Sequence, residues 1–82
     1  MNYEVEILKS AIKDLQQIDK KDAKVIVEKI SLLRNGLVGD IKKLKYYSPG
    51  YRLRVGNYRV LFSHNGTNIV VGRILHRKQA YN

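Results

Sequence analysis

Twelve residues in the second half of the chain, YRLRVGNYRVLF (51–62), restrict the fold more than any other segment. Apolar and basic side chains alternate on either side of Gly56-Asn57, a dipeptide suited to a two-residue β-turn, so the stretch predicts an antiparallel hairpin. If those two residues are the whole turn, Val55 faces Tyr58, Leu53 faces Val60, and Arg54 faces Arg59. Parity then puts Tyr51, Leu53, Val55, Tyr58, Val60 and Phe62 on one face and Arg52, Arg54 and Arg59 on the other. The first face needs an apolar cover. The second sets like charges opposite one another, which costs a sheet several tenths of a kcal/mol. A sheet built for stability alone has no use for that arrangement. An anion seated between two guanidiniums gives it one.

The flanking sequence supplies the cover. Tyr3, Val5 and Ile7 alternate with Glu4 and Glu6, as in a half-buried strand. Ser10 is a candidate cap for a helix carrying Ala11, Ile12, Leu15 and Ile18. Residues 19–22 form a polar break, and a second helix follows with Ala23, Ile26, Val27, Ile30 and Leu33 on one stripe, ending at Asn35-Gly36. Lys20, Lys24 and Glu28 fall on its solvated side. Residues 36–50 read as irregular, with Leu37 and Leu44 as anchors and Ser48-Pro49-Gly50 as a turn. Strands are expected at 51–55, 58–63 and 68–75, the last two joined through Asn65-Gly66. That pairing sets Phe62 opposite Ile69, Val60 opposite Val71 and Arg59 opposite Gly72, and it turns His76 toward the arginines. The strand should end before Arg77, since a charge on the covered face is costly. His64 reads as a solvated loop residue. The expected fold is α+β, one domain over 1–82 in the order β-α-α-β-β-β, a helical hairpin on one face of a small, mainly antiparallel sheet.

Charge is distributed unevenly along this fold. Residues 1–40 hold all seven carboxylates against seven cations, whereas residues 41–82 hold nine cations and no acid. An uncompensated cationic half points to a polyanionic partner, either nucleic acid or an acidic protein segment. Glu4 and Glu6 offer a structural alternative, in which the first strand lies beside the arginines as a salt-bridge lattice. The chain has no cysteine, which fits a reducing compartment and excludes thiolate chemistry. Nothing at its start resembles a signal peptide, and no apolar run approaches a membrane span, so a soluble cytoplasmic protein is expected.

The helical hairpin, the KKLK step (42–45), YRLRVGNYRVLF and the terminal HRKQAY (76–81) together resemble the RelE/ParE superfamily of toxins from type II toxin–antitoxin systems, over essentially the full length. Within it the chain looks like the RelE branch, whose members cut mRNA in the ribosomal A site. The resemblance implies a cognate antitoxin as partner, mRNA and ribosome as targets, and no metal or other cofactor. It places the family's two basic positions on Arg52 and Arg54, lysines in the best-known relatives, and its later functional residues on Arg59, Arg77 and Tyr81. The spacing from Arg77 to Tyr81 is shorter than usual.

The reaction implied is attack of an RNA 2′-hydroxyl on its adjacent phosphate, with expulsion of the 5′-oxygen. Arg54, Arg59 and Arg77 are the candidates for stabilising the charge that develops on the phosphoryl oxygens. Arg52, Lys42, Lys43, Lys45 and Lys78 are candidates for holding RNA or ribosome. Arginine stays protonated, so a lysine base is absent at positions 52 and 54, and the proton acceptor is either Tyr81, favoured by the resemblance, or His76, favoured by parity. Two other functions compete: a ParE-like poison of DNA gyrase, which needs no catalytic face, and a non-catalytic nucleic-acid-binding or co-repressor module.

Overall fold

The computed structural model describes residues 2–45 and 50–79. Strand β1 (Glu4–Ile7) leads into helices α1 (Lys9–Gln16) and α2 (Lys20–Leu32), and α2 runs on into a short 3-10 turn, Leu33–Asn35. Strands β2 (Asp40–Lys43), β3 (Tyr51–Val55), β4 (Tyr58–Asn65) and β5 (Asn68–His76) follow. They form one sheet in the order β1-β5-β4-β3-β2, parallel only between β1 and β5. The α+β plan read from the sequence holds, with β2 as an added element inside the stretch expected to be irregular. Ile41 is its sole apolar residue, so no alternation marks the strand. It exists through its pairing with β3, where Asp40, Ile41, Lys42 and Lys43 oppose Arg54, Leu53, Arg52 and Tyr51.

The helices cover the face that parity assigned to the core. Ala11, Ile26, Ile30 and Leu33 meet Leu53, Val60, Phe62, Ile69, Val71 and Ile74 in one buried cluster, and Tyr51 stacks on Phe62 with ring centroids 5.5 Å apart. Each large aliphatic side chain buried there contributes about 1.5–3 kcal/mol. Ile12 and Val27, read as part of the buried stripes, lie at their margins and are exposed. Leu44 is buried as expected, whereas Leu37 is exposed. Ser10 caps no helix: α1 starts at Lys9, and the Ser10 hydroxyl goes elsewhere. The break between helices falls at residues 17–19, and residues 20–22 already belong to α2.

The hairpin between β4 and β5 differs from the sequence expectation in a way that matters for the site. Its turn residues are Gly66-Thr67, with Asn65 opposite Asn68. Gly56 and Gly66 have φ of 56° and 61°, and among the described residues no non-glycine residue has positive φ, the pattern of type II′ turns with glycine first. An Asn65-Gly66 turn of type I′ would have required Asn65 itself to adopt positive φ. The shifted turn sets Phe62 opposite Val71, and together with a bulge it sets Arg59 opposite Leu75 rather than Gly72. A bulge lies between the Phe62–Val71 and Leu61–Arg73 pairs and leaves Gly72 as the extra residue. Its effect is to flip parity: Ile69 and Val71 face the core before it, Ile74 and His76 after it. Unbulged alternation would have driven Arg73 into the core.

Strand β1 reaches only as far as Val71, so the rest of β5 has an unpaired edge. Side chains take over where the strand stops. The Ser10 hydroxyl donates to the Gly72 carbonyl (2.6 Å), the Ile74 amide donates to the Asp14 carboxylate (2.8 Å), and the His76 amide donates to the Gln79 side-chain carbonyl (3.2 Å). The edge is thereby closed to pairing with another chain.

Candidate active site

Two rows of side chains cross the sheet face away from the helices. One runs Asp40, Arg54, Arg59, Leu75, and the next Lys42, Arg52, Leu61, Arg73. The expected opposition of Arg54 and Arg59 is present. Arg54 is exposed and, among the described residues, makes no hydrogen bond or salt bridge. Arg52 is largely buried and donates to both the carboxylate (3.1 Å) and the carbonyl (3.0 Å) of Asp40. Glu4 and Glu6 lie on β1 at the opposite edge of the sheet, so the carboxylate on the arginine face is that of Asp40. Lys42 shares this face with Arg52, Lys43 alternates to the other, and Lys45 lies just beyond β2; all three are exposed.

The Gly56-Asn57 turn brings a second pair of arginines into register. Arg59, half-buried, donates to the carbonyls of Gly56 (3.2 Å) and Tyr58 (3.1 Å). The Arg77 amide donates to the carbonyl of Asn57 (2.7 Å), which extends the β4–β5 ladder by one step past the end of the strand. One tight turn therefore anchors both residues. Arg77 is exposed, as expected for a charge beyond the strand end, and Lys78 beside it is also exposed. Tyr81 lies outside the described residues.

His76 is not where parity on an unbulged strand put it. It opposes Tyr58 on the helix-covered face, ring against ring with centroids 5.5 Å apart and planes 85° from each other. The pair lines a groove of about 350 Å³ together with Lys13, Gln17 and Gln79. His64 also departs from its reading as a loop residue. It lies inside β4, half-buried between the rings of Tyr3 (5.1 Å) and Tyr51 (6.0 Å).

Asp14 and Arg73 form the second ion pair, with Nε to Oδ2 at 2.8 Å and a further contact to Oδ1 at 3.2 Å. Burial by itself would raise the Asp14 carboxyl. The hydrogen bonds from Arg73 and the Ile74 amide, with the Arg73 charge, outweigh it and hold the group below the ordinary carboxylate value. Arg73 is held above its ordinary value chiefly by its hydrogen bond to Asp14. Sequence reasoning missed both carboxylate partners. Asp14 is separated from Arg73 by most of the chain, and Asp40 sits in a strand without a pattern.

A family model described as the ParE toxin of the type II toxin–antitoxin system parDE matches residues 5–81. The chain belongs to the RelE/ParE superfamily of type II toxins. Toxin RelE3 of Methanocaldococcus jannaschii is 44% identical to it over 78 residues, covering 89% of each protein. The RelB–RelE antitoxin–toxin complex from Methanococcus jannaschii contains a chain that matches with a TM-score of 0.75 at 39% identity, over 89% of this toxin and 91% of that chain. A chain of the archaeal RelE–RelB complex from Pyrococcus horikoshii matches with a TM-score of 0.79 at 30% identity, over 98% and 100%. These likenesses place the toxin in the RelE branch.

Proposed function

We propose that this toxin is an endoribonuclease that cuts translated message in the ribosomal A site and is held inactive by a cognate antitoxin. The observation that carries the reading is the opposition of Arg54 and Arg59 on the open face, with Arg77 tied to the turn that also anchors Arg59. Three arginines on residues around one turn suit a phosphate that gains charge as the 2′-hydroxyl oxygen bonds to phosphorus and the 5′-oxygen departs. The products are a 2′,3′-cyclic phosphate and a 5′-hydroxyl, and Tyr81 is the proton acceptor favoured by the resemblance. Arg52 and Lys42, side by side in the second row, hold backbone phosphates. The ribosome supplies the alignment of the message, as the resemblance to the RelE branch implies. The complexes named for RelB and RelE support an antitoxin partner, and the cationic half favours one that presents carboxylates. The site of action is the cytoplasm.

The family model's ParE description favours a second reading, poisoning of DNA gyrase. Induction of the toxin in cells separates the two. Cleaved messages with 5′ ends inside reading frames and a codon-phase bias support the nuclease. Intact messages with accumulated gyrase-cleaved DNA support the poison.

A further inference from the structure

The residues around the end of β5 assign a specific task to His76. Its Nδ1 accepts the backbone N–H of Lys78 at 3.2 Å. Its amide donates to the Gln79 side chain at 3.2 Å, and its carbonyl accepts the Gln79 amide at 2.7 Å. These three contacts close a turn over residues 76–79, and Arg77 is held inside it. From the other side, the Arg77 amide is fixed to Asn57.

An N–H donor aimed at Nδ1 requires that nitrogen to be unprotonated, so the neutral ring carries its proton on Nε2. The lone pair a general base would need is the one already engaged by Lys78. Moving the proton to Nδ1 to free Nε2 would aim one N–H at another. The ring also packs against Tyr58 on the helix-covered face, across the sheet from Arg54 and Arg59.

We infer that His76 is a positioning residue for Arg77, acting through its Nδ1 acceptor, and not the proton acceptor of the cleavage reaction. This rests on the nuclease reading proposed above. The geometry is that of an Asx-turn, in which a short side-chain acceptor takes the amide two residues ahead. Asparagine is therefore the natural replacement, and an imidazole is not required.

The test compares His76→Asn and His76→Phe in a reconstituted translation reaction, reading message cleavage, alongside nitrogen NMR of the parent toxin. His76→Asn should stay within about threefold of the parent, because its carbonyl restores the turn. His76→Phe should lose about tenfold or more, as expected when a group that stabilises the transition state is misplaced. The loss should fall on kcat and kcat/KM alike and should vanish in an Arg77→Ala background. In the neutral ring of the parent, the Nδ1 resonance should report an unprotonated nitrogen. Equal inactivity of folded His76→Asn and His76→Phe would make His76 the base, and a protonated Nδ1 in the neutral ring would remove the turn contact. A parent toxin that cleaves no message overturns the nuclease reading and the role in cleavage with it. The NMR result would then judge the turn by itself.

Discussion

The carboxylate of Asp14 binds the Arg73 guanidinium and the Ile74 amide at once, so this side chain of α1 partners the β5 edge where β1 has ended. Asp14→Ala leaves the Ile74 amide without that partner and should cost about 1–3 kcal/mol. Asp14→Asn keeps an acceptor for Ile74 and should cost less, since the Arg73 side chain is half exposed and the pair is screened by water. Thermal unfolding of the two variants gives the order. An Asn variant as unstable as Ala would assign the stabilisation to the ion pair.

The same contact sets a pH dependence. The folded state holds the Asp14 carboxyl below its ordinary value, so its stabilisation is present above the unfolded value, about 3.9, and lost as pH falls through the folded one. Denaturant midpoints between pH 6 and pH 2 should drop less steeply for Asp14→Asn than for the parent. Parallel curves would mean other carboxylates govern acid unfolding.

The arginine-bearing hairpin was legible because strict alternation around a glycine turn leaves one register that buries Leu53, Val60 and Phe62 together. The following hairpin was not. Asn65-Gly66 and Gly66-Thr67 are adjacent turns in sequence, and the choice between them depends on where Ile69 and Val71 meet the core. The expected turn set Gly72 opposite Arg59. That glycine is instead the bulge that turns Ile74 inward, and with it His76. The placement of His76 was therefore lost to a one-residue slip, whereas Arg54 and Arg59, before the bulge, were placed correctly.

Arg54 offers the cleanest separation of activity from stability. It is exposed, opposes Arg59, and among the described residues has no hydrogen-bond partner. Arg54→Thr should change folding stability by no more than about 0.5 kcal/mol while cleavage collapses. Arg59 is less suitable, because its two bonds to the turn carbonyls give it a structural share. Growth arrest on induction, paired with thermal unfolding, decides the matter. Full toxicity in a folded Arg54→Thr variant would remove this face from the mechanism.

Asp40 tempers the open face by occupying Arg52. The carboxylate is mostly exposed, so Asp40→Asn should cost under about 1 kcal/mol. It also removes a negative charge beside Arg52, which keeps its bond to the Asp40 carbonyl. Binding of short single-stranded RNA should tighten at low salt, because a charge that repels phosphate is gone from the row of Arg52 and Lys42. Weaker binding would show that Asp40 instead holds Arg52 in its productive pose.

Two glycines with nearly the same conformation provide a matched pair. Gly56 and Gly66 each open a tight hairpin turn with φ near 60°, and a Cβ added at either meets no atom within 4 Å. Alanine at either position therefore costs backbone strain alone, about 1–2 kcal/mol. The turns differ in what they carry. The carbonyls at Gly56 and Asn57 anchor Arg59 and Arg77, whereas Gly66-Thr67 lies at the opposite end of β4. Gly56→Ala and Gly66→Ala should unfold at similar temperatures. Under conditions where both are folded, Gly66→Ala should cut message at nearly the parental rate and Gly56→Ala about tenfold more slowly, because strain at Gly56 moves both guanidiniums. Equal cleavage by the two variants would mean that Arg59 and Arg77 do not depend on this turn for their placement.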